Sequence, residues 1–289
     1  MAANYQDELK ALDELFHNVG RFRSSEDFLA LLEFVRKFRN IAPYNAFLLH
    51  VQKPGSQFVA TAVDWKRKFN RSIKVGARPL ITLFPFGPVR FVYELGDTEG
   101  EDFPEELLKP FKTAGTLPDA LWSLLMTNLP RECVFYAEAD HGTGSAGFIR
   151  GADRGKFQLV KDKKVPVLYE LVVNGNHSTE EKFATIAHEL GHLYCGHLGS
   201  PDPSWWTART GLPLNVKEFE AESVAWLVCE RVGVKNPSEQ YLRDYLGNNG
   251  EIPPVSLEAI FKAALRVESM TKRTLSIRKL PEKKSGRAS

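Results

Sequence analysis

Phe183-Ala-Thr-Ile-Ala-His-Glu-Leu-Gly-His-Leu-Tyr194 contains the pattern HExxH, at His188, Glu189 and His192. Two histidines four apart project from one face of a helix and can share a zinc ion. The glutamate between them is placed to act as a general base on water at that ion. Helical periodicity agrees: Phe183, Ile186, Ala187, Leu190, Leu193 and Tyr194 gather on one side, with His188 and His192 opposite. Ser178 followed by Glu181 reads as a capping box that starts the helix. An apolar stripe toward a core, with histidines facing a cleft, suits a metal site better than a chance pair of surface histidines.

A catalytic zinc has three protein ligands and one open position. His197 is the nearest candidate, but it falls five residues after His192, where the helix should end. A C-terminal helix residue near the negative dipole end is the simpler reading. A second helix is expected over Asn215–Gly233, with Asn215 and Glu218 as a start signal and Gly233 as a stop. Three glutamates compete there: Glu218, Glu220 and Glu222. Ala221, Val224, Leu227, Val228 and Val232 make an apolar arc that includes Glu220. A carboxylate aimed into a core is costly unless paired or metal-bound. Glu220 is therefore the expected third ligand and Glu222 the alternative. A buried ion pair of Glu220, with Arg231 as partner, is the competing structural reading.

HELGH followed by EFEAESVAWLV resembles the ImmA/IrrE-type zinc metallopeptidases. Their second helix carries Glu-Ala-x-x-(aromatic or aliphatic)-Ala, matched here by Glu220, Ala221, Val224 and Ala225. The resemblance spans roughly Cys133 to Tyr245. It implies a zincin-like domain, Zn2+ as cofactor and a protein or peptide substrate. Glu222 offers a competing register.

The chain has 289 residues, 43% of them hydrophobic, and a formal net charge of +2. That is enough for one large or two small domains with a real core, and the charge argues neither for nor against nucleic acid. Met1–Lys10 is polar and acidic, with no secretory signal, and no apolar run approaches a membrane span. Cys133, Cys195 and Cys229 have no zinc or redox spacing; a reducing cytoplasm is expected.

Helices are expected around Leu9–Phe16 and Phe28–Phe38, and strands at Gln57–Ala62, Pro79–Pro85 and Val89–Glu94, the last two joined by a turn at 86–88. Asn45–Val51 is apolar and ambiguous. Asp64–Arg78 mixes six basic residues with Trp65 and Phe69. Trp65, Lys66, Arg67, Lys68, Arg71 and Lys74 are the candidate nucleic-acid contacts, since cations track phosphates and aromatics stack on unpaired bases. A solvated helix with its aromatics in the core competes with that reading. Asn45 to Leu49, Trp65, Lys74-Val-Gly-Ala-Arg-Pro79 and Leu80 to Tyr93 are similar in order to the N-terminal domain of ArdC-like antirestriction proteins. This implies association with single-stranded DNA.

Gly96–Pro110 is acidic and turn-rich and is read as a connection between domains. Strands are expected at Val134–Ala139, Ala146–Ile149 and Val165–Asn174. Either the first or the last could bind an extended substrate. Tyr136, Tyr169, His141 and His177 are candidate oxyanion partners. Trp205 and Trp206 either wall the cleft or pin their loop to the core. Helices are expected over 238–245 and 256–270, and the basic segment from Thr271 is expected to be disordered.

These readings define an α+β chain. A smaller ArdC-like domain (1–110) precedes a zincin-like metallopeptidase domain (111–270), built from a small sheet, the HExxH helix and a glutamate-bearing helix, and then a basic tail (271–289). The expected function is zinc-dependent peptide hydrolysis with Glu189 catalytic. The alternative is a single-stranded-DNA-binding antirestriction or regulatory protein whose zinc is structural or only conditionally proteolytic.

Overall fold

The computed structural model describes residues 25–38, 41–83, 89–104, 107–108, 115–140, 146–234, 242 and 252–280. The helix expected near residues 9–16, the turn at 86–88, His141 and the helix expected over 238–245 (Leu242 apart) lie outside them. The fold is mixed α+β. The chain separates into two compact units, Met1–Lys112 with Leu246–Ile252, and Thr113–Tyr245 with Pro253–Ser289.

In the first unit, helix α1 (Ser25–Lys37) buries Phe28, Leu31, Leu32 and Val35 and packs on α2 (Pro43–Gln52). The ambiguous apolar stretch is thus a helix, opened by a proline where no backbone donor is needed. Strands β1 (Val59–Ala60), β4 (Val89–Glu94) and β3 (Leu80–Leu83) form an antiparallel sheet in that order. Two amides of α2 cover the outer edge of β3. Asn45 accepts from Leu83 N at 2.8 Å and donates to Leu83 O at 2.9 Å; Gln52 does the same to Ile81 at 2.8 and 2.9 Å. Each side chain stands in for a neighbouring strand, and the seven-residue spacing keeps both on one helix face.

Helix α3 (Ala62–Phe69) starts on the Thr61 hydroxyl, which accepts from Asp64 N at 3.1 Å. Trp65 is fully buried, donates its indole N–H to Tyr93 O at 2.8 Å and packs among Phe58, Phe69 and Phe103. The expectation that Trp65 stacks on bases is therefore corrected: burial of the largest apolar side chain of this unit outweighs exposure. Arg71, in β2 (Arg71–Ile73), donates to Thr98 Oγ1 at 2.8 Å and to Thr98 O at 3.0 Å. Lys74 donates to Gly96 O at 2.8 Å. Both cations fasten the acidic segment that was expected to be a connection, part of which pairs with β2 as β5 (Thr98–Gly100). Of the six candidate nucleic-acid residues, Lys66, Arg67, Lys68 and Lys74 are exposed, and Arg67 and Lys68 face Asp64 at 3.8 and 3.0 Å. Trp65→Ala is expected to destabilise this unit by about 3–5 kcal/mol, the cost of emptying an aromatic core site. Thermal melting checks it, and an unchanged melting curve would contradict the burial.

In the second unit, β6 (Val134–Ala139), β10 (Tyr169–Asn174) and β7 (Gly147–Gly151) form a sheet in the order β6-β10-β7. β10 runs parallel to β6 and antiparallel to β7. The strand expected over 165–174 divides into β9 (Lys163–Pro166), which pairs with β8 (Phe157–Val160), and β10. Among the described residues, the unit also contains the helices α4 (Asp119–Asn128), α5 (Thr179–Tyr194), α6 (Leu214–Val232) and α7 (Leu257–Lys272). α5 packs on the sheet, on α6 and on α7, which also meets α4. The core gathers Leu171 and Val173 with Phe183, Ile186, Leu190, Val224, Leu227, Phe261 and Val267, all fully buried. The sequence from Thr271 is not disordered up to Leu280: Leu275 is buried, and Arg278 N donates to Arg131 O at 2.8 Å. Arg278 also binds Glu132 Oε2 and stacks on Trp205 at 4.5 Å, so hydrogen bonds and apolar contact hold a segment whose composition reads as solvated. Among the described residues no helix is long and apolar enough to cross a membrane.

Candidate metal centre

Helix α5 begins with the expected capping box: Ser178 accepts from Glu181 N at 3.3 Å, and Glu181 accepts from Ser178 N at 2.8 Å. Its apolar stripe faces the core, leaving His188 and His192 half-buried on the opposite side. Glycine sets how closely α6 lies against that face. A Cβ on Gly191 would stand 3.1 Å from Ala221 Cα and 3.2 Å from Ala221 O, so the two helices touch backbone to backbone there. Gly191→Val is expected to cost about 1–3 kcal/mol by overpacking. It would also weaken metal retention by moving α6 outward. A variant with unaltered melting and metal content would show that this contact does not set the site.

That contact brings Glu218 to the histidines. His188 Nε2 and His192 Nε2 lie 3.1 Å apart, and each is 3.6 Å from an oxygen of Glu218. Ligands about 2.0–2.1 Å from a tetrahedral zinc stand roughly 3.3–3.4 Å from one another, so these separations fit a shared ion. The donor set of two imidazoles and a carboxylate also fits: this group could hold a divalent metal. The local field agrees. Burial works against charging His188, yet Glu218 and Glu222 outweigh it and push its pKa up to about 10. The neighbouring imidazoles of His188 and His192 hold Glu218 well below the usual carboxylate range. The pocket thus favours positive charge at the point where the three donors meet.

The expected third ligand, Glu220, is not brought to the histidine pair. It is fully buried on the other side of α6, as the apolar arc requires, and its carboxylate is saturated. Oε2 accepts from His197 Nε2 at 2.9 Å and Arg209 Nη1 at 2.6 Å; Oε1 accepts from Arg209 Nη2 and Ser256 N, each at 2.7 Å. A carboxylate offers about four lone-pair directions, and all four are taken. The same saturation tells against a metal among Cys195, His197 and Glu220, whose donor atoms also lie close together. The expected partner Arg231 pairs instead with Glu268 on α7. Glu222, the alternative ligand, places Oε1 3.4 Å from His188 Nδ1, on the side of the ring away from Glu218.

The sequence does not single out Glu218 as the glutamate that meets the histidines. Paired with Asn215, it looked like a helix-start glutamate. The helix begins earlier, at Leu214 behind Pro213, with no side-chain cap. The usable signal was the i,i+4 spacing of Glu218 and Glu222, which repeats the spacing of His188 and His192 on the facing helix.

Glu189 points to the sheet. Its Oε2 accepts from Ile149 N, in β7, at 3.0 Å, which leaves Oε1 for another partner. Burial raises its carboxyl above the ordinary value, with His188 and His192 opposing. β10, one of the two expected substrate strands, is paired on both sides and has no edge to offer; β6 and β7 are the outer strands. β7 lies against α5, where a Cβ on Gly147 would stand 2.8 Å from Thr185 Cγ2. Of the candidate oxyanion partners, Tyr169 is buried against Trp206, and Tyr136 donates to Glu138 Oε1 at 2.7 Å. Trp206 donates to Gly199 O at 2.8 Å and packs edge-on to Tyr194, so the tryptophan loop is pinned to the core.

Residues 151–225 match the family model of the IrrE N-terminal-like domain, Peptidase M78. The matched segment runs from the end of β7 into α6 and contains both histidines and all three glutamates. It is a metallopeptidase-like domain. No curated protein matches the chain in sequence. Two crystal structures of the antirestriction ArdC protein from the R388 plasmid are similar to it. The metal-free one is 16% identical, with a TM-score of 0.35, covering 78% of this chain and 81% of that one. The Mn(II)-bound one is 15% identical, with a TM-score of 0.35, covering 78% and 82%.

Proposed function

We propose that the second unit is a zinc-dependent endopeptidase acting on a regulatory protein target, with His188, His192 and Glu218 as ligands. The observation that carries this reading is the convergence of the three donors beside Glu189, itself anchored on an outer strand. When bound, the metal would supply Lewis acidity to a water molecule and to the scissile carbonyl. Glu189 Oε1 takes the proton from the water as it attacks, and the same carboxyl then delivers it to the departing amine nitrogen. The Ile149 amide holds the other oxygen, so the proton moves from a fixed position. β7, beside this carboxylate, can receive a substrate as an added strand, its main chain fixed by ladder hydrogen bonds. The three free, buried thiols suit a reducing compartment such as the cytoplasm.

The test is to reconstitute the protein with zinc, incubate it with an unstructured peptide library and analyse products by mass spectrometry, with and without chelator. Internal cleavage that the chelator stops is the expected result. Failure to retain zinc after reconstitution would overturn the reading.

A further inference from the structure

We infer that His197 and Glu220, tied together at 2.9 Å, form a positioning relay that orients the ligand His192 from behind; this rests on the metal-site reading above.

The geometry fixes the protons. If His192 Nε2 faces the metal, its lone pair is committed there and its proton must sit on Nδ1. His192 Nδ1 lies 3.0 Å from His197 Nδ1. His192 therefore donates and His197 Nδ1 accepts. His197 must then carry its own proton on Nε2, the atom 2.9 Å from Glu220 Oε2. The chain ends on Arg209, whose two guanidinium nitrogens grip both oxygens of Glu220 at 2.6 and 2.7 Å.

Local backbone structure builds this arrangement. Gly196 leaves α5 at φ +81°, a conformation that suits glycine, and a Cβ there would lie 2.0 Å from Thr207 O. The turn lets His197 N bond back to His192 O at 3.0 Å, which folds the imidazole under the ligand. The chain crossing Gly196 also donates Arg209 N to Gly196 O at 2.8 Å, delivering the arginine to Glu220. His188 has a carboxylate behind it directly, in Glu222. His192 reaches one through a second imidazole. Three glutamates on one helix thus have three separate positions: beside the metal, behind one ligand, and behind the relay.

Partners behind a ligating histidine typically change metal affinity by about 10–100-fold. His197→Phe keeps the ring volume and removes both nitrogens. The expected result is zinc affinity about 10–100-fold lower by chelator competition, with apo-protein melting close to wild type. A second measurement does not depend on the variant folding. Long-range nitrogen–proton NMR of zinc-loaded wild type should show His197 as the Nε2–H tautomer and His192 as the Nδ1–H tautomer. Unchanged affinity in the variant, or a Nδ1–H tautomer at His197, would overturn the relay while leaving the metal site intact. Wild-type protein that binds no zinc would overturn the metal reading itself, and the relay with it.

Discussion

Glu218→Ala should leave the protein without bound metal after gel filtration. The loss in affinity should exceed the roughly 10–100-fold seen when only an outer partner is removed. The reason is geometric: Glu218 has oxygens 3.6 Å from both Nε2 atoms that face the common centre. Without it, two neutral imidazoles remain, and they compete poorly with water for a divalent ion. Glu222→Ala should weaken binding less, since its oxygen faces His188 Nδ1 at 3.4 Å rather than the centre. Metal content by mass spectrometry on the two variants and wild type separates these cases. Full metal content in the Glu218 variant would remove this residue from the ligand set. The apo fold should survive, because Glu218 is partly exposed and no core contact depends on it.

Glu189→Gln should retain the metal and lose cleavage by about 10²–10⁴-fold, the usual contribution of a positioned general base. The amide keeps the size of the carboxylate and can still accept from Ile149 N, so the active-site frame is preserved. It cannot take a proton from water. Both readouts are needed together. Lost cleavage with lost metal would mean a disturbed site. Retained cleavage at the wild-type rate would remove Glu189 as the base.

Much of this site was legible because it is local. The HExxH spacing, the Ser178–Glu181 capping box and the apolar stripe of α5 all lie within one helix, and a helix imposes its geometry on any sequence that adopts it. The burial of Glu220 was legible too, from the arc of apolar residues around it. Its role was not, because the same wheel position accommodates a metal ligand or a saturated ion pair. The outcome depends on Arg209, which approaches from a loop whose path no periodicity reveals. Trp65 followed the same rule: a tryptophan among cations reads alike for a stacking surface and for a core. The choice rests on Phe58, Phe69 and Phe103 closing around it.

The amino-acid sequence by itself determined the α5 helix, the two histidines on its one face, the glutamate between them and the α+β character of both units. Each follows from spacing and periodicity along a single segment. Only the tertiary structure decided which glutamate meets the histidines, which outer strand holds Glu189, and what stands behind His192. Those depend on the depth at which α6 packs against Gly191, on the sheet order β6-β10-β7, and on a loop crossing Gly196. Contacts between segments distant along the chain are set by how surfaces fit, and that information lies in no one stretch of sequence.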